Sequence, residues 1–230
     1  MKLVEKATLK AKITVLICAF NEEKNLPYVL PKIPQWVDEI LLVDGHSSDN
    51  TVEVAKRLRP DIRILYQPEK GKGDALKYGI KHSSGDIVVT LDADGTTDPE
   101  EMHKFIEPLL NGYDFAKGSR FLNTRPKRMP WYRHFGNWLL VTEANLIFGT
   151  NYTDLCSGYN AFWGKSWERI NFPDEFGYEP LITLRAKRAG LKIIEVACSD
   201  RGRISGGSKL PNWRQGWGAF KAILKERFYG

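Results

Sequence analysis

Apolar residues in this chain cluster in short, evenly spaced runs, each closing on acidic or polar residues. Ile13–Ala19 is almost uninterruptedly apolar and leads into Phe20-Asn21-Glu22-Glu23. Glu39–Val43 ends in Asp44-Gly45, and Ile62–Tyr66 in a Lys/Gly-rich loop. Ile87–Leu91 ends in Asp92-Ala93-Asp94-Gly95. Continuous β-branched and aliphatic runs of this length predict strands buried on both faces. Between them lie segments of helical character. Asn25–Ile33 is interrupted by Pro27 and Pro31, while Asn50–Leu58 has Val52, Val54, Ala55 and Leu58 on one face and Ser48 or Asp49 as its cap. A third helix opens at Glu69–Asp74 and runs to about Lys81. Strand–helix alternation of this kind predicts an α/β domain with a mostly parallel sheet and right-handed crossovers.

The second half is less regular. The pattern predicts a helix capped by Asp98, with Pro99 at its first position and Glu100 and Glu101 at its positive end. Next come a strand over Phe115–Phe121 that carries Arg120, and a loop over 123–137 rich in Arg and aromatic residues. An apolar helix follows over Trp138–Phe148, then a turn and strand over Asp154–Phe162. A helix ends at Gly190, and a last strand covers Leu191–Ala197. Arg201–Lys209 is basic and glycine-rich, the composition of a mobile lid that carries positive charge. The tail, 212–228, places Trp213, Trp217, Phe220 and Leu224 at helical spacing among basic residues. It is expected either to pack on the domain or to lie in a membrane interface. The expected organisation is one domain over 1–211 with an amphipathic segment over 212–230, and no internal repeat or linker.

Composition narrows the partners. Three distant cysteines (Cys18, Cys156, Cys198) form neither a disulfide framework nor a zinc pattern, which suits a reducing cytoplasm. The four histidines show no metal spacing. A net charge of +6 favours phosphate-rich partners or an anionic membrane surface. No apolar run reaches the ~18 residues of a spanning helix.

The chemistry gathers at the strand ends. In an open α/β sheet ligands bind off the carboxyl edge of the strands. Asp92 and Asp94 there are hard oxygen ligands, suited to Mg²⁺ or Mn²⁺ bridging phosphates. With Glu22 and Asp44 they suggest a site for a base, a ribose and a metal-bound diphosphate. The Gly71-Lys72-Gly73 turn lacks P-loop spacing and is a weak phosphate signal. Asp92-Ala93-Asp94-Gly95-Thr96 also matches the D-x-D-G-T of haloacid-dehalogenase-type phosphatases. That motif usually ends the first strand and needs later paired acids, whereas Asp114, Asp154, Asp174 and Asp200 stand apart.

Taken in order, CAFNEEKN, ILLVDGHSSDNT, KGKGDALKYG, TLDADGTTDPE, AKGSRF, DLCSGYNAF and RGRISGGSK resemble the inverting family-2 glycosyltransferases of GT-A fold. Within these, the chain is most similar to dolichol- or polyprenyl-phosphate sugar synthases. The resemblance implies a Rossmann-like GT-A domain that transfers a hexose from GDP-mannose or UDP-glucose to a polyprenyl phosphate, with Mg²⁺ or Mn²⁺. It puts Phe20 and Glu22 at the base, Asp44 at base or ribose, and Lys72 and Ala93 beside the donor. Asp94 would hold the metal with Asp92 toward ribose or sugar, and Arg203 and Lys209 would lie on the diphosphate. Arg120, Arg133, Ser157 and Glu179 fall to the acceptor side. The alternative is a saccharide hydroxyl acceptor with Glu179 as base. The implied location is the cytoplasmic face of a membrane, attached peripherally, with no nucleic-acid partner. Three positions depart from the pattern: Cys18 where Pro is frequent, Gly45 where a second acid is frequent, and Thr96 where Gln is common.

Overall fold

The computed structural model describes residues 11–122, 126, 129–170, 179–207 and 212–229, without the side chains of 212–215 and 229. A seven-stranded sheet in the order β3-β2-β1-β4-β6-β5-β7 forms the centre. Its strands are β1 (Ile13–Ala19), β2 (Glu39–Asp44), β3 (Arg63–Tyr66), β4 (Ile87–Asp92), β5 (Phe115–Ser119), β6 (Asn160–Trp163) and β7 (Ile193–Ala197). All pairings are parallel except those of β6, which runs antiparallel to both β4 and β5. The apolar runs of β1, β2 and β4 are buried on both faces, as continuous hydrophobicity requires.

The helices cover that sheet. The two prolines confine the first to α1 (Leu26–Val29) followed by a 3₁₀ turn over Leu30–Lys32. α2 spans Thr51–Leu58 with Asn50, rather than Ser48 or Asp49, at its N-cap, and Asp49 one residue earlier accepts the Thr51 N–H at 3.0 Å. α3 (Lys72–His82) starts from Gly71 at φ 95°. Asp98 accepts the Glu100 N–H at 3.4 Å and opens a 3₁₀ turn over Pro99–Met102, which continues into α4 (His103–Leu110). Beyond β5, α5 spans Trp131–Phe148, α6 Gly164–Ile170, α7 Glu179–Arg188 and α8 Asn212–Tyr229.

Two expectations need correction here. α5 begins at Trp131 rather than Trp138, so Trp131, Tyr132, Arg133 and Phe135 sit on a helix and not in a loop. Pro130 precedes it with extended backbone, the position from which a helix can start but not continue backward. The tail's expected stripe is also divided. Ala219 and Ile223 are buried with Leu140, Ala144, Leu155 and Leu184, and Phe220 packs against that cluster. Glu226, itself buried, accepts from the Arg185 guanidinium at 2.8 and 2.9 Å and from Arg188 at 3.1 Å, tying α8 to α7. Trp217 and Leu224 remain exposed, while Trp213 has no described side chain.

One buried acid in this layer carries a prediction. Glu143 of α5 is buried, and neither of its carboxylate oxygens has a hydrogen-bond partner among the described residues. Burial pushes it up to about 7 from a usual 4.5. A carboxyl that binds its proton more tightly when folded lowers stability as pH rises from its unfolded value through its folded one. Glu143→Met should therefore raise Tm at pH 8 relative to wild type, with the gain fading by pH 5. Each kcal/mol gained appears as about 2–4 °C. Equal Tm differences at both pH values would show that the carboxyl is not the cause.

Candidate active site

Strand register makes the site. Cys18 of β1 lies beside Val43 of β2 and Asp92 of β4, and Ala19 lies beside Asp44. The carboxyl ends of these three strands are therefore flush, and Phe20–Glu22, Asp44 and Asp92–Asp94 leave the sheet along one edge. The chain builds β2 and β3 on one side of β1 and then places β4 on the other, which puts the switch point of the sheet at this edge.

On the β1–β2 side, Glu22 and Asp44 are both buried. Glu22 accepts the Asn25 side-chain amide at 2.6 Å. Asp44 accepts the Ser47 N–H at 2.9 Å and its hydroxyl at 2.6 Å, which fixes the carboxylate in one orientation. Phe20 stands exposed at the mouth.

On the β4 side, Asp94 accepts the Thr96 N–H at 3.0 Å and its hydroxyl at 2.7 Å, both on Oδ1. Burial and the neighbouring Asp92 carboxylate push its pKa upward. Gly95 follows at φ 78°, and a Cβ there would come within 2.4 Å of Ile204, so the turn and the lid both require glycine. Asp92 accepts from the Lys72 ammonium at 2.5 Å, and the same ammonium pairs with Glu179 at the start of α7. Burial alone would lower the Lys72 pKa, but the Asp92 and Glu179 carboxylates outweigh it and hold the ammonium charged. Gly158 gives this trio room: a Cβ there would lie 2.5 Å from Asp92 Oδ2 and 2.8 Å from Lys72 Nζ. Burial pushes the adjacent Cys18 thiol up to about 12, so the position where proline is frequent holds a neutral thiol.

The lid, 201–207, lies over this edge. The Arg203 guanidinium reaches both Glu22 oxygens at 2.6 and 2.7 Å and Asp94 Oδ2 at 3.3 Å. Arg201 pairs with Asp98. Lys209, expected on the diphosphate with Arg203, lies outside the described residues, as do Arg125 and Arg128 of the Arg-rich stretch 123–137.

The expected acceptor residues are not gathered as one group. Arg120 forks onto the fully buried Asp154 at 2.7 and 3.0 Å. Arg133 is exposed on the first turn of α5. Ser157 is buried, its hydroxyl accepting the Tyr159 N–H at 3.4 Å, so it faces the interior and not the groove. Sequence reasoning attached Lys72 to the donor and Glu179 to the acceptor; no local pattern showed that they touch. Asp154 stands apart from other acids along the chain, and its tie to Arg120 joins the end of β5 to the turn before β6.

Among the described residues no group of three or more acidic, cysteine or histidine side chains is placed to hold a metal ion, so Asp92 and Asp94 would supply the protein ligands as a pair. That donor set fits a hard divalent cation that completes its shell with water and substrate phosphates rather than an all-protein cage.

The family model for glycosyl transferase family 2 matches residues 14–169, more than half of the chain. The chain belongs to that family. It is a glycosyltransferase, and its D-x-D-G-T stretch ends the fourth strand, not the first, so the phosphatase reading falls away. Glycosyltransferase AglJ of Haloferax volcanii is 30% identical over 190 residues, covering 80% of this chain. The chain spans only 61% of that relative's length. A dolichyl-phosphate hexose transferase of the same organism is 28% identical, with 93% of this chain and 92% of the relative covered. Among solved structures, glucosyl-3-phosphoglycerate synthase of Mycobacterium tuberculosis, in complex with Mn²⁺, UDP-glucose and phosphoglyceric acid, superposes with a TM-score of 0.71. It is 23% identical and covers 95% of this chain and 80% of its own, which establishes a shared fold. The GT-A expectation is thereby met, and solved structures of that synthase hold Mn²⁺ or Mg²⁺.

Proposed function

We propose that this family-2 glycosyltransferase moves a hexose from a nucleoside diphosphate sugar to a polyprenyl phosphate, inverting the anomeric centre. The donor lies along the edge of β1, β2 and β4, its base and ribose against Phe20, Glu22 and Asp44 and its diphosphate near Asp92, Asp94 and Arg203. A divalent cation on Asp94, with Asp92 beside it, would neutralise charge on the leaving diphosphate. The acceptor oxygen attacks the anomeric carbon from the opposite face as the bond to the diphosphate breaks, and the nucleoside diphosphate leaves with that electron pair.

The observation that carries the acceptor class is the Lys72–Glu179 pair. A hydroxyl acceptor needs a base close by. Glu179, the best-placed carboxylate for that role, has one oxygen engaged by an ammonium that also holds Asp92. A phosphate monoester is already anionic near neutral pH and needs no such base. The relatives that act on lipid phosphates point the same way.

A membrane-facing surface supports the lipid. No helix among the described residues is long and apolar enough to cross a membrane. Yet α5 exposes Trp131 at 78% and Trp138 at 59%, with Tyr132 and Phe135 between them, and α8 packs beside it with Trp217, Leu224 and Phe228 exposed. Lys221, Lys225 and Arg227 accompany these rings on α8. Indoles flanked by lysine and arginine match an anionic lipid interface, where the rings enter the headgroup layer and the cations meet phosphates. On this basis we place the enzyme peripherally on a membrane, and the three distant cysteines, suited to a reducing cytoplasm, put it at the cytoplasmic face.

One experiment tests acceptor and surface together. Anionic vesicles with and without polyprenyl phosphate are offered GDP-mannose, UDP-glucose and related radiolabelled donors. Label should enter the lipid phase only with polyprenyl phosphate, and the protein should sediment with vesicles at low salt and leave them at high salt. Glu179→Gln should retain transfer to lipid phosphate, while Arg133→Ala should weaken acceptor use far more than donor binding. Transfer to a neutral saccharide that Glu179→Gln abolishes and Arg133→Ala leaves untouched would establish the hydroxyl alternative instead.

A further inference from the structure

The lid does more than cover the donor edge. Its backbone is pinned along the β4 turn, where the Arg201 N–H donates to Thr96 O at 2.9 Å and the Ile204 N–H to Asp94 O at 3.3 Å. Asn25 holds it from α1's side, accepting the Ser205 N–H at 2.8 Å and donating to Ser205 O at 3.2 Å. The Ile204 side chain lies against Gly95. Gly202 at φ 72° and Gly206 at φ 76° bracket residues 203–205, and these are the backbone states of a hinged strap. Inside the strap, Arg203 lies between Glu22 and Asp94, with its Nε turned back to Ser205 O at 2.9 Å.

Asp94 has two oxygens and both are engaged. Oδ1 takes the two Thr96 donors and Oδ2 faces Arg203. A divalent cation that binds Asp94 outward from the turn must take Oδ2, the oxygen that the guanidinium now neutralises. Two cations cannot share that place without mutual repulsion in a partly buried pocket.

We propose that the lid is a latch. Its Arg203 guanidinium stands in for the divalent cation between Glu22 and Asp94, so metal at Asp94 and the latched lid exclude each other. The inference rests on the reading of Asp94 as the metal ligand and adds how access to it is regulated. Metal alone competes with Arg203 and binds weakly. A nucleoside diphosphate reverses the sign: its phosphates offer Arg203 a new anionic partner, so the lid then closes over metal and nucleotide together. Coupling of this kind is reciprocal, so what Arg203 takes from metal affinity the metal takes from lid closure.

Mn²⁺ binding to the full chain, measured by titration calorimetry and by the electron paramagnetic resonance of free Mn²⁺, tests this without turnover. Without nucleotide, Arg203→Ala should tighten Mn²⁺ binding by about fivefold or more. With GDP or UDP present, the same substitution should weaken it. Ile204→Ser loosens the strap on its exposed side and keeps the guanidinium; it should tighten Mn²⁺ without nucleotide and leave the nucleotide-bound affinity unchanged. That variant carries the test if Arg203→Ala fails to fold, as thermal unfolding would show. Unchanged or weaker Mn²⁺ binding in both variants, with binding abolished by Asp94→Asn, overturns the latch and leaves the metal reading standing. No Mn²⁺ binding by wild type, with or without nucleotide, overturns both.

Discussion

Asp94→Asn should lower the proposed hexosyl transfer by about a thousandfold, because a cation that stabilises leaving-group charge is worth several kcal/mol and each 1.36 kcal/mol is a factor of ten. The substitution keeps shape and volume, and an amide oxygen can still accept from the Thr96 N–H and hydroxyl that Asp94 now receives at 3.0 and 2.7 Å. What it loses is the negative charge. Folding should not suffer. Burial and Asp92 already push the Asp94 carboxyl upward, so a neutral side chain relieves repulsion, and Tm should hold or rise while kcat collapses. Chelation of wild type should reproduce the loss, and added Mn²⁺ or Mg²⁺ should restore it. Undiminished transfer in excess chelator, together with wild-type rates in Asp94→Asn, would remove the metal from this edge.

The second large effect falls on stability. Asp154 is fully buried and accepts the Arg120 Nε–H at 2.7 Å, a second guanidinium N–H at 3.0 Å and two backbone N–H groups at 2.9 and 3.1 Å. Burial alone would raise its pKa, but Arg120 and these donors outweigh it and bring it down to about 2. Removing one member of a buried pair leaves the other charge uncompensated, at about 3–5 kcal/mol. Asp154→Asn should therefore lower Tm by about 10 °C or more. The sign of its pH dependence follows from the lowered pKa. The pair's contribution is present above the unfolded value of 3.8 and lost as pH falls through about 2. Wild type should thus converge on the variant across that window. A variant as stable as wild type at pH 7 would mean that Arg120 finds another anion there, and the acceptor phosphate would be its expected partner.

Some of this was legible along the chain. The β1, β2 and β4 runs carry their fate in composition, since an unbroken aliphatic stretch has only one stable place, a strand covered on both faces. The acids that close those runs then had to emerge at the sheet's carboxyl edge. Pro27 and Pro31 marked the interruption of the first helical stretch, and Gly190 the end of α7, by backbone chemistry alone. The start of α5 was missed because Trp131–Asn137 mixes aromatic, basic and glycine residues without a helical stripe. That helix is exposed on the side where its rings lie, so no burial pattern marked it. α6 was missed too, being one short turn-rich segment after β6 whose direction, antiparallel to its neighbours, no pattern announces.

What the amino-acid order determined by itself, then, was the alternating α/β layout, the acidic edge with its D-x-D pair, and membership in a family whose motifs stand in sequence. These rest on local rules: side-chain alternation, turn chemistry and helix capping act between residues close along the chain. Tertiary structure alone decided the pairings. Lys72 meets Asp92 and Glu179, Arg120 is committed to Asp154, Ser157 turns inward, and Arg203 settles between Glu22 and Asp94. Each of the ion pairs joins groups distant in sequence and depends on a charge finding its counter-charge in a partly or fully buried place. Only the packed sheet, with its register and its crossovers, determines which charges are left to meet.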